Sequence, residues 1–228
     1  MLYSENLDLA FVHIPKTGGL SFRAFLQETF PDMRDLPELS GPHHTVAELF
    51  PVLQKRGRDP LETKIVTLIR HPFAQVASQY TYWRSDLISE PERNLLHVID
   101  ARRMTFPEFV RARVIEDLYA SMLLIDHKLP RNVHIIRLEH LHDDAERVLN
   151  RELGLNVAVR IPHLNRSSEG PFAELYTEEA KTKVRQTYKW YFQTDWSRTI
   201  DPNRQPAAND SALVGEKTDM GTGGPPAH

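Results

Sequence analysis

The sequence of 228 residues contains no cysteine. The chain therefore has no disulfide bond, no thiolate ligand for a metal and no cysteine nucleophile, and its redox compartment stays undecided. No apolar run reaches the roughly 18 residues that a membrane-spanning helix needs. Residues 1–8 carry acidic groups and no basic stretch, unlike a secretory signal, so we expect a cytoplasmic protein without a membrane span.

The chain also lacks an excess of positive charge. Its formal net charge is −3, so it has no global basic field of the kind that nucleic-acid-binding proteins use, and we expect no nucleic-acid partner. Any anion-binding site must therefore be local. The length suits a single domain with a buried core. We predict this domain over residues 1–200 and a flexible C-terminal tail over residues 201–228, where apolar residues are few.

Apolar segments of strand length alternate with segments of helical periodicity. Buried strands are predicted at residues 7–14, 64–69 and 133–138. Helices are predicted directly after the first strand and then at residues 46–53, 73–83, 105–127 (one or two helices), 143–153 and 177–192. This alternation indicates an α/β fold with a mostly parallel central sheet flanked by helices.

The most informative stretch is HIPKTGGLS at residues 13–21, called the glycine loop below. It follows a strand and opens a helix, whose first amides lack internal partners and favour a negative ligand. Gly18 and Gly19 allow the backbone to curve closely around an anion. Lys16 adds a positive charge, while Thr17 and Ser21 add hydroxyl groups. The loop is predicted to bind phosphate, although it is not a Walker A loop because its lysine precedes the glycines.

A second anion-binding element follows the strand at residues 64–69. Arg70 ends this strand, and Ser78 lies about two turns into the next helix. An arginine at this position can form a forked contact with phosphate. Ligand sites of open α/β sheets gather at the carboxyl ends of the strands, so both elements are expected to face one ligand. The alternative is that Arg70 forms a surface ion pair and Ser78 is only a packing residue.

The order of residues in the glycine loop, together with Arg70 and Ser78, resembles the sulfotransferases that use 3′-phosphoadenosine 5′-phosphosulfate (PAPS). The similarity is greatest to the carbohydrate 2-O-sulfotransferases and their bacterial relatives. It implies a P-loop-NTPase-like fold, PAPS as co-substrate, 3′-phosphoadenosine 5′-phosphate (PAP) as product, and no required metal. Arg166, in a later loop at residues 162–167, is a further candidate for binding the nucleotide. The predicted cofactor-binding residues are Pro15, Lys16, Thr17, Gly18, Gly19, Leu20, Ser21, Arg70, Ser78 and Arg166.

Three residues are candidates for catalysis. Sulfuryl transfer needs mainly positioning and charge stabilisation, by analogy with phosphoryl transfer. Lys16 is expected to meet the charge on the departing oxygen, or else only to bind phosphate. The resemblance implies a catalytic histidine between the two anion-binding elements, and a neutral histidine suits proton abstraction near pH 7. His43 fits the spacing best and His44 is the alternative; otherwise both support a loop.

Other side chains near these elements have open roles. His13 is expected to orient the glycine loop. Tyr80, Tyr82 and Trp83 follow Arg70 along the chain and either stack on adenine or sugar or pack in the core, with core packing favoured.

The resemblance alone favours a carbohydrate or small alcohol as acceptor. A long heparan-type chain would need an extended basic groove, which the net charge does not support. Two other functions remain open: a P-loop nucleotide kinase or NTPase, which would need Mg²⁺, and a non-catalytic nucleotide-binding module. The sequence does not indicate the oligomeric state.

Overall fold

The computed structural model describes residues 1–39, 41–85, 88, 95–162, 164 and 172–194. The predicted tail and the candidate Arg166 lie outside these residues. Among the helices described, none combines the length and the apolar character needed to cross a membrane.

Five strands form one mixed sheet in the order β3-β1-β2-β4-β5. Strand β2 pairs with β4, and β4 with β5, in parallel, whereas β1 pairs with both β2 and β3 in antiparallel fashion. A mostly parallel sheet is therefore not confirmed. Strands β1 and β3 were not predicted because segments of two or three residues show no hydrophobic period. The strands are β1 (Leu2–Ser4), β2 (Leu9–Val12), β3 (Arg34–Asp35), β4 (Lys64–Ile69) and β5 (Val133–Arg137).

Helices cover both faces of the sheet. Those in the described part of the chain are α1 (Gly19–Thr29), α2 (Val46–Lys55), α3 (Pro72–Arg84), α4 (Leu95–Arg103), α5 (Phe106–Arg113), α6 (Leu118–Leu123), α7 (Leu141–Glu146), α8 (Glu178–Thr187) and α9 (Lys189–Gln193). A π-helical segment, Arg147–Glu152, continues α7, and short 3₁₀ turns occupy Leu138–His140 and Phe172–Leu175.

The central strands are apolar on both faces because each face is covered. Phe11 of β2 and Val66 of β4 pack with Phe22, Phe25 and Leu26 of α1 in one core. The intervening strand residues point to the opposite face, as the two-residue period of a strand requires. There they form a second, larger core with helices α2, α3, α5, α6, α8 and α9. Two buried faces explain why these strands read as continuous apolar runs in the sequence.

Local signals set most helix boundaries where they were expected. The Thr45 hydroxyl and the Glu48 carboxylate form a reciprocal cap at the start of α2, and Thr177 caps α8. Two predicted helices are interrupted. Residues 143–153 fall in α7 and the π-helical segment, and residues 177–192 divide into α8 and α9 at Tyr188. Gly154 has a φ of +67°, which suits the predicted helix end.

The helix behind the glycine loop should depend on its buried face. Replacing Leu26, which is completely buried in α1, by alanine should lower the free energy of unfolding by about 2–5 kcal/mol, because it leaves a cavity. The same replacement at Leu61, which is 48% exposed, should change it by less than about 0.5 kcal/mol. Urea denaturation of both variants provides the measurement. Equal losses would contradict the packing of α1 on the sheet.

Candidate functional site

The predicted anion-binding residues lie at the carboxyl edge of the parallel strands. The glycine loop follows β2, Arg70 follows β4, and Leu138 follows β5. A Cβ atom on Gly18 would lie 2.6 Å from Leu138 Cδ1, so the loop approaches the end of β5. Since β4 lies between β2 and β5, the glycine loop and Arg70 are neighbours at this edge.

The backbone of the glycine loop has an unusual conformation. Gly18 adopts a φ of +82° at the N-cap of α1, and Lys16 adopts a φ of +64°, which is uncommon for a residue with a side chain. The Thr17 hydroxyl is buried and donates a hydrogen bond to the Ile14 carbonyl at 2.8 Å. Because this hydroxyl hydrogen is already engaged, the amide N–H is the group of Thr17 that can donate to an anion. The Ser21 hydroxyl accepts a hydrogen bond from the Leu164 amide at 3.1 Å.

His13 packs directly against the glycine turn. A Cβ atom on Gly19 would lie only 1.9 Å from His13 Cδ2, so no larger residue fits beside the ring. His13 is 7% exposed, and its Nδ1 atom has no hydrogen-bond partner in the described part of the chain. Burial, followed by the nearby His43, lowers the pKa of His13 to about 3. The ring is therefore neutral and packs against the glycine turn, whereas its expected role in orienting the loop stays a prediction.

Lys16 and Arg70 bring two positive charges to one place. Both side chains are half-buried. Burial lowers the pKa of Lys16, and the charge of Arg70 lowers it further. Burial also lowers the pKa of Arg70, against the opposing effect of Glu139. Within the described residues, neither cation forms a hydrogen bond or ion pair with a carboxylate. Two close cations without an ion-pair partner favour an anionic ligand.

One face of α3 covers the glycine loop. The Gln75 amide donates to the Pro15 carbonyl at 3.4 Å, and the Lys16 ammonium lies 4.0 Å from the centre of the Tyr82 ring. Ser78 stands three residues after Gln75 and four before Tyr82, so helical spacing puts all three on the same face. Ser78 is buried on this face of α3. The two anion-binding elements are therefore joined through α3.

Two hydrogen bonds to a side chain of α6 hold the backbone of Arg70 in place. The Tyr119 hydroxyl of α6 donates to the Arg70 carbonyl and accepts from the Arg70 amide. The guanidinium carbon lies 5.6 Å from the centre of the Phe172 ring. Glu139, after β5, accepts a hydrogen bond from the His71 amide at 2.7 Å, and burial raises its pKa. These contacts hold the backbone of Arg70 at the end of β4 and place its guanidinium near Phe172.

The structure distinguishes the two candidate histidines. His43 Nδ1 lies 2.8 Å from the His13 carbonyl oxygen. A carbonyl oxygen can only accept, so Nδ1 must carry the proton, and Nε2 of the neutral ring carries a lone pair. Burial is the largest cause of a lowered pKa for His43, and Lys16 contributes to the same direction. His44 instead lies at the start of α2, with Nδ1 3.6 Å from Glu48 Oε1. This geometry favours His43 as a base.

The aromatic residues of α3 do not share one role. Tyr80 is buried and donates to the Met104 carbonyl, and Trp83 is buried against His97. Core packing is thus confirmed for these two residues. Tyr82 differs because it faces Lys16.

Several residues that build the site were not predicted from the sequence. Gln75 and Tyr119 act on the main chain, and such contacts leave no motif because any suitably placed donor can make them. The sequence presents Tyr82 as one of three aromatic residues after Arg70. Its i, i+4 relation to Ser78 is the signal that places these two residues on the same face of α3.

Two surface cavities lie away from this edge. One of about 280 Å³ separates α5 from α8, and one of about 230 Å³ lies beside α1. Neither is lined by a predicted site residue. Across the part of the chain that the structure describes, no group of three or more histidine, aspartate or glutamate side chains could hold a metal ion. No protein-family model matches the chain, and no curated protein matches it.

The buried neutral His13 should make stability depend on pH. Its folded pKa of about 3 lies below the ordinary value of 6.5, so the unfolded chain binds the proton more readily. The stabilisation is therefore complete above pH 6.5 and is lost as the pH falls from 6.5 towards 3. We expect a His13→Gln variant to show a flatter decline in the free energy of unfolding over this range. Titration of the His13 ring by NMR checks the pKa directly, and a transition above pH 5.5 would contradict the buried placement.

Proposed function

We propose that this protein is a sulfotransferase that moves a sulfuryl group from PAPS to an acceptor hydroxyl. The observation that carries the proposal is the juxtaposition of Lys16 and Arg70. Each is partly removed from water, and neither has an ion-pair partner in the described chain. Desolvating two like charges is costly unless an anion compensates them. A nucleotide with phosphate groups at both ends of its ribose would compensate both.

The positions of the glycine loop and Arg70 indicate which phosphate group of the nucleotide each would bind. The glycine loop and the first amides of α1 would hold the 5′-phosphosulfate, as the N-terminus of a helix favours an anion. Arg70 would hold the 3′-phosphate by a forked contact, with Ser78 adding a hydroxyl. The assignment requires a P-loop-like sulfotransferase fold, and it draws support from the three parallel strands β2, β4 and β5 on one side of the mixed sheet.

The proposed chemistry is one in-line displacement at sulfur. The acceptor oxygen forms a bond to sulfur while the bond between sulfur and the bridging phosphate oxygen breaks. His43 Nε2 accepts the proton of the acceptor hydroxyl. The bond electrons leave with the bridging oxygen, which becomes part of the 5′-phosphate of PAP, and the Lys16 ammonium stabilises the developing negative charge. The products are the sulfated acceptor and PAP, and no metal participates in these steps.

The acceptor is proposed to be a carbohydrate or other small alcohol rather than a long anionic chain. The chain has a net charge of −3, which does not favour an extended polyanion.

PAP should bind to the protein without a divalent cation. At a PAP concentration 100 times its Kd, binding stabilises the folded state by about 2.7 kcal/mol, a rise in Tm of about 5–10 °C. Arg70→Ala should abolish most of this shift, because it removes the contact to the 3′-phosphate. Differential scanning fluorimetry in the presence of EDTA measures the PAP-induced Tm shift of the wild type and of Arg70→Ala.

Arg131→Ala is the matched control, because Arg131 is exposed at the opposite edge of the sheet and pairs with Glu62. This variant should keep the full PAP shift. Stabilisation by ATP with Mg²⁺ but not by PAP would contradict the proposal and favour a nucleotide kinase or NTPase.

His43 should be needed for turnover rather than for nucleotide binding. His43→Asn should lower kcat by about 10²–10⁴-fold, since it removes the base while leaving a side-chain N–H near the His13 carbonyl. The wild-type rate should fall on acidification below pH 6.5, as His43 becomes protonated, and the variant should lack this acid limb. Transfer of labelled sulfate from PAPS across an acceptor panel is the assay.

The variant His44→Ala tests which of the two histidines acts as the base. It should retain kcat within about threefold, because His44 lies beside the cap of α2 and not at the His13 carbonyl. A larger loss in His44→Ala than in His43→Asn would reverse the assignment. PAP binding without sulfate transfer to any acceptor would instead favour a non-catalytic module.

A further inference from the structure

Tyr82 presents the face of its ring to Lys16. The ammonium nitrogen lies 4.0 Å from the ring centre, well within the roughly 6 Å over which a cation is attracted to an aromatic face. Tyr82 is half-buried on α3, one helical turn beyond Ser78. The ring thus stands at the boundary between the glycine loop and the second anion-binding element.

The charged and titratable groups around Lys16 do not favour its ammonium form. Burial lowers the pKa of Lys16, and the charge of Arg70, after β4, acts in the same direction. Besides burial, the charge of Lys16 lowers the pKa of His13, after β2, and of His43, before α2. Both rings are neutral near pH 7. Glu139, after β5, acts on Arg70. Among the described residues, the Tyr82 ring is the group in direct contact that attracts the cation.

We propose that Tyr82 is a positioning residue that holds the Lys16 ammonium in the nucleotide-free protein and keeps it charged beside Arg70. Its catalytic meaning rests on the proposed function, because Lys16 would exchange the ring face for the bridging oxygen of the bound donor. The contact itself belongs to the free protein. It can therefore be tested whether or not the protein transfers sulfate.

The position of the ring explains why such a contact is useful. The backbone of Lys16 has a positive φ, and Gln75 holds the preceding carbonyl, so the side chain leaves the loop along α3. Burial and Arg70 both lower the pKa of Lys16, and the face of the Tyr82 ring opposes this effect by attracting the ammonium. A neutral lysine cannot stabilise a departing phosphate oxygen by charge. The ring favours the protonation state that the reaction requires.

NMR of the full-length, nucleotide-free protein labelled with ¹³Cε-lysine provides the test. The sequence contains eight lysines, and loss of one signal in Lys16→Arg identifies Lys16. We expect a ring-current shift of the Lys16 signal in the wild type and in Tyr82→Phe, which keeps the aromatic face. In Tyr82→Leu this shift should disappear, and the pKa of Lys16 should fall by about 0.5.

A Lys16 signal in the wild type without a ring-current shift would overturn the proposal, and this result does not depend on whether any variant folds. An unchanged Lys16 pKa in folded Tyr82→Leu would also overturn it. The circular dichroism spectrum and Tm of each variant establish that it is folded. In the sulfate-transfer assay, the alkaline limb of kcat/KM for PAPS, which reports on the free protein, should move to lower pH in Tyr82→Leu but not in Tyr82→Phe. Failure of PAP to bind would count against the proposed function while leaving the NMR result intact.

Discussion

Two positive charges held near each other and partly out of water are the central constraint of this structure. Lys16 reaches the site from the loop after β2, and Arg70 from the end of β4. Burial lowers the pKa of both residues, and the charge of Arg70 lowers the pKa of Lys16 further. The fold maintains this arrangement because the backbone around each residue is fixed independently. Gly18 and Gly19 shape the loop, whereas Tyr119 binds both main-chain polar groups of Arg70.

Parallel strand pairing makes this arrangement possible. Because β2, β4 and β5 run in the same direction, the segments that follow them all emerge at one edge of the sheet. Helix α3 then folds back over that edge, where Gln75 contacts the loop backbone and Tyr82 contacts Lys16. The antiparallel strands β1 and β3 lie on the far side of β2 and supply no predicted site residue. The candidate anion-binding residues Lys16 and Arg70 therefore follow the parallel strands of the mixed sheet.

His43 illustrates how a main-chain contact can fix the tautomer of a histidine. Its Nδ1 atom faces the His13 carbonyl, so Nδ1 carries the proton and Nε2 is unprotonated in the neutral ring. The same His13 packs its ring against Gly19. One residue therefore links the shape of the anion-binding loop to the orientation of the candidate base. Because the buried His13 ring is neutral, it adds no further positive charge beside Lys16 and Arg70.

The sequence by itself determined the elements that carry strong local signals. Strands β2, β4 and β5 were predicted from apolar runs, α8 as the first part of the helix expected at residues 177–192, and the glycine loop from its strand–turn–helix context. Only the tertiary structure decided the antiparallel edge of the sheet, since β1 and β3 gain their stability from pairing rather than from periodicity. It also separated His43 from His44, and Tyr82 from Tyr80. These adjacent or nearby residues share one local sequence environment, and they differ only in what the rest of the fold brings against them.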